Sequence, residues 1–301
     1  MLAESAAGRR MKALLTAALL AAWLPVAAQI RWTRIVPSPT VELRDPRSMS
    51  VAADGLIYVA DTGHQRVVAF DSNGTVVVET GGFGDAHGQF RWPRAVVADR
   101  GNAVWVLDYG NRRIEKFTRL LVYQGTLEIR IAGSDRANQP EALALSPQGD
   151  LFVYDRDRGK LLRYDPLFTL QAESGSGSGL QFISNVASMA FVPRRGLFWW
   201  ERGGGAVRHA DPLLNPAAAL PLRISEGDVN LSSADTCLII ASMQTVLRVC
   251  AQDSPPDTLL TSGDLSGLGE FRTTAACLAG EVLYLLDKSA GAVYRVDYTS
   301  K

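Results

Sequence analysis

The side chains that could do chemistry in this chain are three histidines, three cysteines and a regular series of aspartates and arginines. His64, His87 and His209 fall in different segments, and none stands two or four residues from another. They therefore lack the clustering that a zinc site needs. Asp155-Arg156-Asp157 brings two carboxylates together, but calcium gathers several oxygen ligands. Arg156 and Arg158 flank the pair, so it reads as a solvated loop. No Gly-x-Ser-x-Gly elbow, phosphate loop or dinucleotide fingerprint is present. Ser174 to Gly179 alternates Ser and Gly without the Lys of a phosphate loop, and reads as a flexible connection. The sequence thus assigns no catalytic residue, no metal site and no cofactor.

Cys237 and Cys250 flank a predicted hairpin with its turn at Met243-Gln244. That register sets the two thiols opposite each other, and a disulfide between them is expected in an oxidising compartment. The alternative is three buried thiols serving as small apolar side chains. Cys277 reads as a core residue.

Asp61 and Arg66 lie five residues apart, and the same offset recurs in Asp108/Arg113 and Asp155/Lys160. A ring of acids could bind a ligand. The favoured reading is a structural clasp. Asp accepts hydrogen bonds from backbone N–H groups in tight loops, and a basic residue pairs with it across the hairpin. Each exposed pair is expected to contribute less than about 1 kcal/mol.

These residues sit in a repeat. Pro46, Pro93 and Pro140 are spaced by 47 residues, as are Asp61, Asp108 and Asp155, and Phe70, Phe117 and Tyr164. Each unit reads as four β-strands. In the first copy Ser48 to Ala52, Leu56 to Ala60, Arg66 to Phe70 and Thr75 to Glu79 are the strands. Asp54-Gly55 and Asn73-Gly74 are hairpin turns whose residues tolerate positive φ. Four antiparallel strands in about 45 residues is the pattern of a propeller blade. Gly196 to Glu201, Cys237 to Ser242 and Leu283 to Asp287 match the middle of a blade, giving six units. The chain ends where a third strand belongs, and Ile30 to Val36 is expected to supply the missing fourth strand. That would close the ring and remove an exposed sheet edge. The expected fold class is all-β: a six-bladed propeller of four-stranded antiparallel blades, closed by the N-terminal strand, over 29–301.

Residues 1–28 read as a signal peptide. Arg9, Arg10 and Lys12 form a basic stretch, Leu14 to Val26 an apolar one, and Val26-Ala27-Ala28 a small-residue cleavage site before Gln29. The apolar run is short for a bilayer span, which takes roughly 20 residues, and Pro25 interrupts it. The expected location is periplasmic or secreted, with no membrane span after leader cleavage. The formal net charge is zero, so nothing draws the whole chain toward nucleic acid.

The stretches Gly84 to Asp99 and Val104 to Ile114, with Tyr58 to Val67, resemble the NHL repeat family. The resemblance is clear over about 44–165. It implies a six-bladed propeller. Members of the wider family bind proteins, RNA or small molecules, and a few are lyases. The amidating lyases among them place His at the starts of innermost strands. Here those positions are expected to read Arg47, Arg94, Glu141, Ala187, Gly227 and Thr273, with no His. The resemblance fixes the fold far better than the function.

In a propeller the loops entering the innermost strands share a face with those between second and third strands. Arg47, Arg66, Arg91, Arg94, Arg112, Arg113, Arg156, Arg158 and Arg202 fall there, with His64, Trp92 and Tyr109 among them. Arg with aromatic side chains marks interaction surfaces. The expected ligand- or partner-binding residues are Arg47, Arg94, Arg112, Arg156, Arg202, His64, Trp92 and Tyr109. The expected function is a non-catalytic binding or scaffold module for a protein or peptide, and no nucleic-acid partner is expected outside the cytoplasm. The alternative is a small anionic ligand or glycan at the channel mouth, with lyase or hydrolase activity there.

Overall fold

The structure is a computed structural model, and it describes residues 30–36, 41–129, 139–174, 183–220, 222, 224, 229–251, 255–266 and 273–297. The leader with its cleavage site, Gly227 and 175–179 of the Gly/Ser run lie outside the described residues.

Strand β1 (Arg31–Val36) precedes the first full blade. Blade 1 is β2 (Pro46–Val51), β3 (Ile57–Asp61), β4 (Arg66–Phe70) and β5 (Val76–Gly81). Blade 2 is β6 (Pro93–Ala98), β7 (Ala103–Asp108), β8 (Arg113–Thr118) and β9 (Tyr123–Glu128). Blade 3 is β10 (Pro140–Leu145), β11 (Leu151–Asp155), β12 (Lys160–Tyr164) and β13 (Leu170–Glu173). Blade 4 is β14 (Val186–Val192), β15 (Gly196–Glu201), β16 (Val207–Ala210) and β17 (Pro216–Ala217). Blade 5 is β18 (Asn230–Ala234), β19 (Cys237–Ala241), β20 (Val246–Val249) and β21 (Asp257–Leu260), followed by a short helix α1 (Ser262–Ser266). Blade 6 is β22 (Thr273–Ala279), β23 (Val282–Asp287) and β24 (Ala292–Asp297), and β1 is its fourth strand. The chain is therefore a six-bladed β-propeller of four-stranded antiparallel sheets.

Closure rests on the β1–β24 ladder, which runs from Arg31↔Asp297 to Val36↔Val293. Second strands are buried on both faces: Ile57 to Asp61 and Ala103 to Asp108 are buried throughout. The apolar clusters lie between blades. Tyr58, Val67 and Ala69 of blade 1 pack with Val104, Val106 and Phe117 of blade 2. Each sheet thus shields its neighbour's apolar side, which is why no blade is stable alone.

First strands run down the channel and leave N–H groups on its edge. Side chains satisfy several of them across blades. Ser48 Oγ accepts from Val96 N (3.1 Å), Ser188 Oγ from Leu231 N (2.8 Å) and Asn230 Oδ1 from Ala276 N (3.3 Å). These bonds stitch adjacent innermost strands into a rigid wall.

Candidate functional site

The residue ending each second strand ties two loops of the upper face together. Asp61 Oδ1 accepts from Arg44 N (2.7 Å) and Asp108 Oδ1 from Arg91 N (2.8 Å). Alongside, Gly63 N donates to Arg44 O and Gly110 N to Arg91 O, both at 2.7 Å. A Cβ at Gly63 would lie 2.5 Å from that oxygen and one at Gly110 2.7 Å, so this approach needs glycine. The second oxygen of each Asp takes the basic residue. Arg66 Nε donates to Asp61 Oδ2 (2.8 Å), and Arg113 Nε to Asp108 Oδ2 (3.2 Å).

Blade 3 departs from this. Lys160 does not pair with Asp155. Its Nζ lies 2.6 Å from Glu173 Oε1, while Asp155 faces Arg158 Nε at 4.0 Å. Asp157 occupies the repeat position of Gly63 and Gly110, where a side chain would strike the backbone. The loop contact moves to Arg156 N→Gln139 O (3.0 Å), Gln139 N is 3.5 Å from Asp155 Oδ1, and Asp155 Oδ2 has no hydrogen-bond partner. The three aspartates are also fully buried, so these are not exposed surface pairs.

The clasp claims His64 as well. Its Nδ1 lies 2.8 Å from Asp61 Oδ2, the place that Asn111 Nδ2 takes beside Asp108 Oδ2 (2.6 Å). His64 is thus a third member of the blade 1 clasp, its side chain 38% exposed.

At the channel mouth, Arg94 donates to Glu141 Oε1 (2.7 Å) and lies over the Tyr109 ring at 3.5 Å. Arg156 Nε is 3.7 Å from the other Glu141 oxygen. On blade 1, Arg47 donates to Asp45 Oδ2 (3.1 Å), and Lys288 reaches Asp45 Oδ1 (2.7 Å) across the blade 6 junction. Burial pushes the Asp45 carboxyl up, but Lys288 and Arg47 outweigh it and hold it below its ordinary value. Four cations therefore share two carboxylates at this mouth. The basic surplus is smaller than the Arg count suggests, because Arg66 and Arg113 are spent in clasps. Arg112 is exposed on the same face. Arg202 N donates to Asn185 O (3.0 Å) on blade 4.

The channel encloses about 640 Å³. Arg47, Arg94, Glu141 and Ala187 line it; in blades 5 and 6 the strand register puts Val229 and Thr274 at the matching positions, rather than Gly227 and Thr273. Below the mouth the walls are Ser, Ala, Val and Met. At the lower opening Arg100 of blade 2 meets Asp235 of blade 5 at 2.9 Å. Those blades are diametrically opposite in a ring of six, so this pair crosses the axis. Among the described residues no group of His, Cys, Asp and Glu could hold a metal ion.

Beside the mouth stands an aromatic pair, of which the sequence reading found only one member. Trp92 is 55% and Phe83 68% exposed, with Arg91 stacked on the Phe83 ring at 5.1 Å. Phe83 is not among the positions whose spacing repeats, so no periodic signal pointed to it. Trp92 has φ +55°, directly before Pro93. Asp45 (φ +48°) and Asn185 (φ +52°) occupy the equivalent places. Asp and Asn tolerate this left-handed region, and a bulky aromatic does not. The backbone is held there by Trp92 N→Gln65 Oε1 (2.6 Å). Arg113 holds the preceding loop through the carbonyls of Asp85 (2.7 Å), Ala86 (2.9 Å) and Gln89 (2.8 Å). Beneath it Glu115, fully buried, accepts from Gly88 N (3.1 Å). Burial pushes the Glu115 carboxyl up against the opposing pull of Arg113.

Cys237 and Cys250 form a disulfide, and Cys277 is a buried free thiol pushed up to about 12 by burial. No helix among the described residues is long and apolar enough to cross a membrane.

A family model of the NHL repeat matches residues 43–70. No curated protein matches the chain. Solved structures share its fold at low identity. Virginiamycin B lyase from Staphylococcus aureus is 10% identical at a TM-score of 0.58, over 89% of this chain and 99% of that one. A gluconolactonase from Xanthomonas campestris is 13% identical at 0.63, over 90% of each chain. The PQQ-bound aldose sugar dehydrogenase of Streptomyces coelicolor is 14% identical at 0.56, over 90% of this chain and 99% of that one. At such identities the likeness concerns the fold.

Proposed function

We propose that this six-bladed β-propeller, in which residues 43–70 match the NHL repeat, is a non-catalytic binding module outside the cytoplasm, engaging an acidic segment of a protein or peptide across the upper face of blades 1 to 3. The observation that carries this reading is Trp92. A large aromatic is held in a costly backbone conformation with its ring in solvent, where Asp or Asn would sit without strain. Rigid exposed Trp residues beside Arg are the usual energetic anchors of interfaces. The cationic mouth next to it supports an acidic partner, since complementary charge sets orientation and speeds encounter.

The test compares crosslinked capture from envelope extract by the parent chain, by Trp92→Asn and by Arg47→Glu/Arg94→Glu. Trp92→Asn relieves the strained position, so its melting temperature should hold or rise while capture falls about tenfold. Equal capture by all three chains would refute the reading.

The channel supports a second reading, that of a small anionic ligand held at the mouth, with lyase or hydrolase chemistry there. Its support is the 640 Å³ volume beneath the four cations, together with a fold shared with lyases and lactonases. It requires a small carboxylate or phosphate to raise the melting temperature, and Arg94→Glu to abolish that rise.

A further inference from the structure

The opposite face carries a repeated feature that the binding reading does not use. The hairpins between third and fourth strands have one construction. Asp71 Oδ1 accepts from Asn73 N and Thr75 N, Asp165 Oδ1 from Leu167 N and Thr169 N, and Asp211 Oδ1 from Leu213 N and Asn215 N, all at 2.8–2.9 Å. In blade 2 Thr118 Oγ1 accepts from Val122 N (3.2 Å). The fourth residue of each turn has positive φ and turns inward: Gly74, Leu121 and Leu214 are buried and Phe168 is partly buried. It pins the loop onto the preceding blade. Leu121 joins the cluster of Tyr58, and Phe168 meets Trp105 edge to face at 5.5 Å.

The residue before it stands outward. In blade 1 it is Asn73, a residue suited to a wet turn. In blades 2, 3 and 4 it is Leu120, Leu167 and Leu213, exposed by 50, 84 and 64%. Val122, beside Leu120, is 61% exposed. A single exposed leucine means nothing. Three at one register of three consecutive blades are different, because rotation about the ring axis places equivalent residues at the same height.

We propose that this leucine rim rests on the surface of a lipid bilayer, dipping its tips among the headgroups while the ring stays in water. Four observations select a bilayer over a protein. The tips are separate points at one height, which suits a flat, yielding surface better than a jigsaw contact. Each is braced from below by the residue that follows it, packed on the preceding blade, so it can enter the interface without refolding. Exposed Arg194 and Arg119, the latter also paired with Asp54 (3.1 Å), lie in the flanking turns, and cations at the edge of an inserted apolar group favour the headgroup layer. Finally, β1 begins beside Asp297 at the blade 6 counterpart of these hairpins, so a chain that keeps its leader enters the fold from the face that carries the leucines. The protein would lie on the bilayer rather than span it, with Trp92 and the channel mouth directed away.

The test places an environment-sensitive fluorophore on Thr169→Cys or Val122→Cys of the full chain, with Ala86→Cys on the upper face as reference. Cys277 is buried and stays unlabelled. With phosphatidylcholine vesicles containing brominated lipid, emission at 169 and 122 should shift to the blue and be quenched, and emission at 86 should not. In Leu120→Asn/Leu167→Asn/Leu213→Asn, which copies the blade 1 residue, the shift at 169 should vanish even where the apolar run still tethers the chain. Four results would overturn the proposal. These are no shift, an equal shift at 86, a shift on raising protein concentration without vesicles (a second copy covers the rim), or a shift already present in the dilute free chain (its own apolar run covers it).

Discussion

A buried carboxylate is only as useful as the donors around it, and blades 2 and 3 make the comparison within one molecule. Asp108 accepts from Arg91 N, Asn111 Nδ2 and Arg113 Nε; Asp155 has one long hydrogen bond, and its other oxygen has none and faces only Arg158 Nε at 4.0 Å. Removing Asp108 takes the acceptor from Arg91 N and Asn111 Nδ2 and leaves the buried Arg113 with Glu115 (3.2 Å) and loop carbonyls, a loss of about 1–3 kcal/mol. Asp108→Ala should therefore lower stability in denaturant far more than Asp155→Ala, and equal losses would show that the bonds around Asp108 contribute nothing extra. The five-residue spacing was readable in the sequence, but the partner of Lys160 was not: spacing cannot choose between Asp155 and Glu173, which only the fourth strand brings into range. Glu115 adds a pH signature. Burial raises its carboxyl in the folded state, so the folded chain binds this proton more tightly than the unfolded chain does. The stability due to this group falls as pH rises from the ordinary carboxylate range through the raised folded value, and returns below that window. Glu115→Gln lacks this loss. Its stability relative to the parent should improve as pH rises above the ordinary carboxylate range of about 4, and a difference that is flat or falls with pH would contradict the assignment.

At the scale of the blade, the last three units show what the weakening repeat conceals. The place of Asp61 is taken by Glu201, Ser242 and Asp287 in blades 4, 5 and 6. Glu201 still binds Arg208 Nε (2.9 Å), and Asp287 takes Ser289 N (2.9 Å). Ser242 makes only its own turn, accepting from Gln244 N (3.3 Å) and Thr245 N (3.1 Å). Among the described residues blade 5 therefore shows no carboxylate clasp at its upper end, and it is the blade whose hairpin is bridged at the lower end by Cys237 and Cys250, 13 residues apart. Closing a loop of that length restricts the unfolded chain by about 3 kcal/mol. Cys237→Ser/Cys250→Ser should lose close to that amount, with exchange of amide hydrogens rising first in β19 and β20. Uniform loss of protection over all six blades would mean that the bridge acts on the ring and not on its blade. The hairpin register predicted this bridge because it needs only local pairing. The leucine tips were equally present in the repeat but illegible there. Leu120-Leu121, Leu167-Phe168 and Leu213-Leu214 are apolar pairs, and the sequence does not say which member turns inward until the neighbouring blade is in place.

For the whole molecule the decisive element is the smallest. β1 contributes Ile35 and Val36 to the cluster shared with blade 1, and Trp32 packs against the cluster shared with blade 5. It therefore joins the two sides of one seam, and its absence would leave β24 with an open edge and two clusters uncovered. That the ring closes this way was legible because six second strands could be counted and the last blade was one strand short. The count needed no detail of the degenerate blades. The sequence did not show how much of the fold's stability depends on this one strand. A chain beginning at 41 should aggregate or unfold at ordinary temperature. Moving 31–36 to follow Asp297 through an Asn-Gly turn should restore it, because Arg31 already faces Asp297 and a two-residue turn fits such a pair. Calorimetry on the shortened and the permuted chains decides the matter. A permutant that melts with the parent, beside a shortened chain that does not fold, identifies the seam as the step on which the ring depends. A shortened chain with the parent's melting temperature would mean that blade 6 stands without its fourth strand, and that the ring is held by the innermost strands alone.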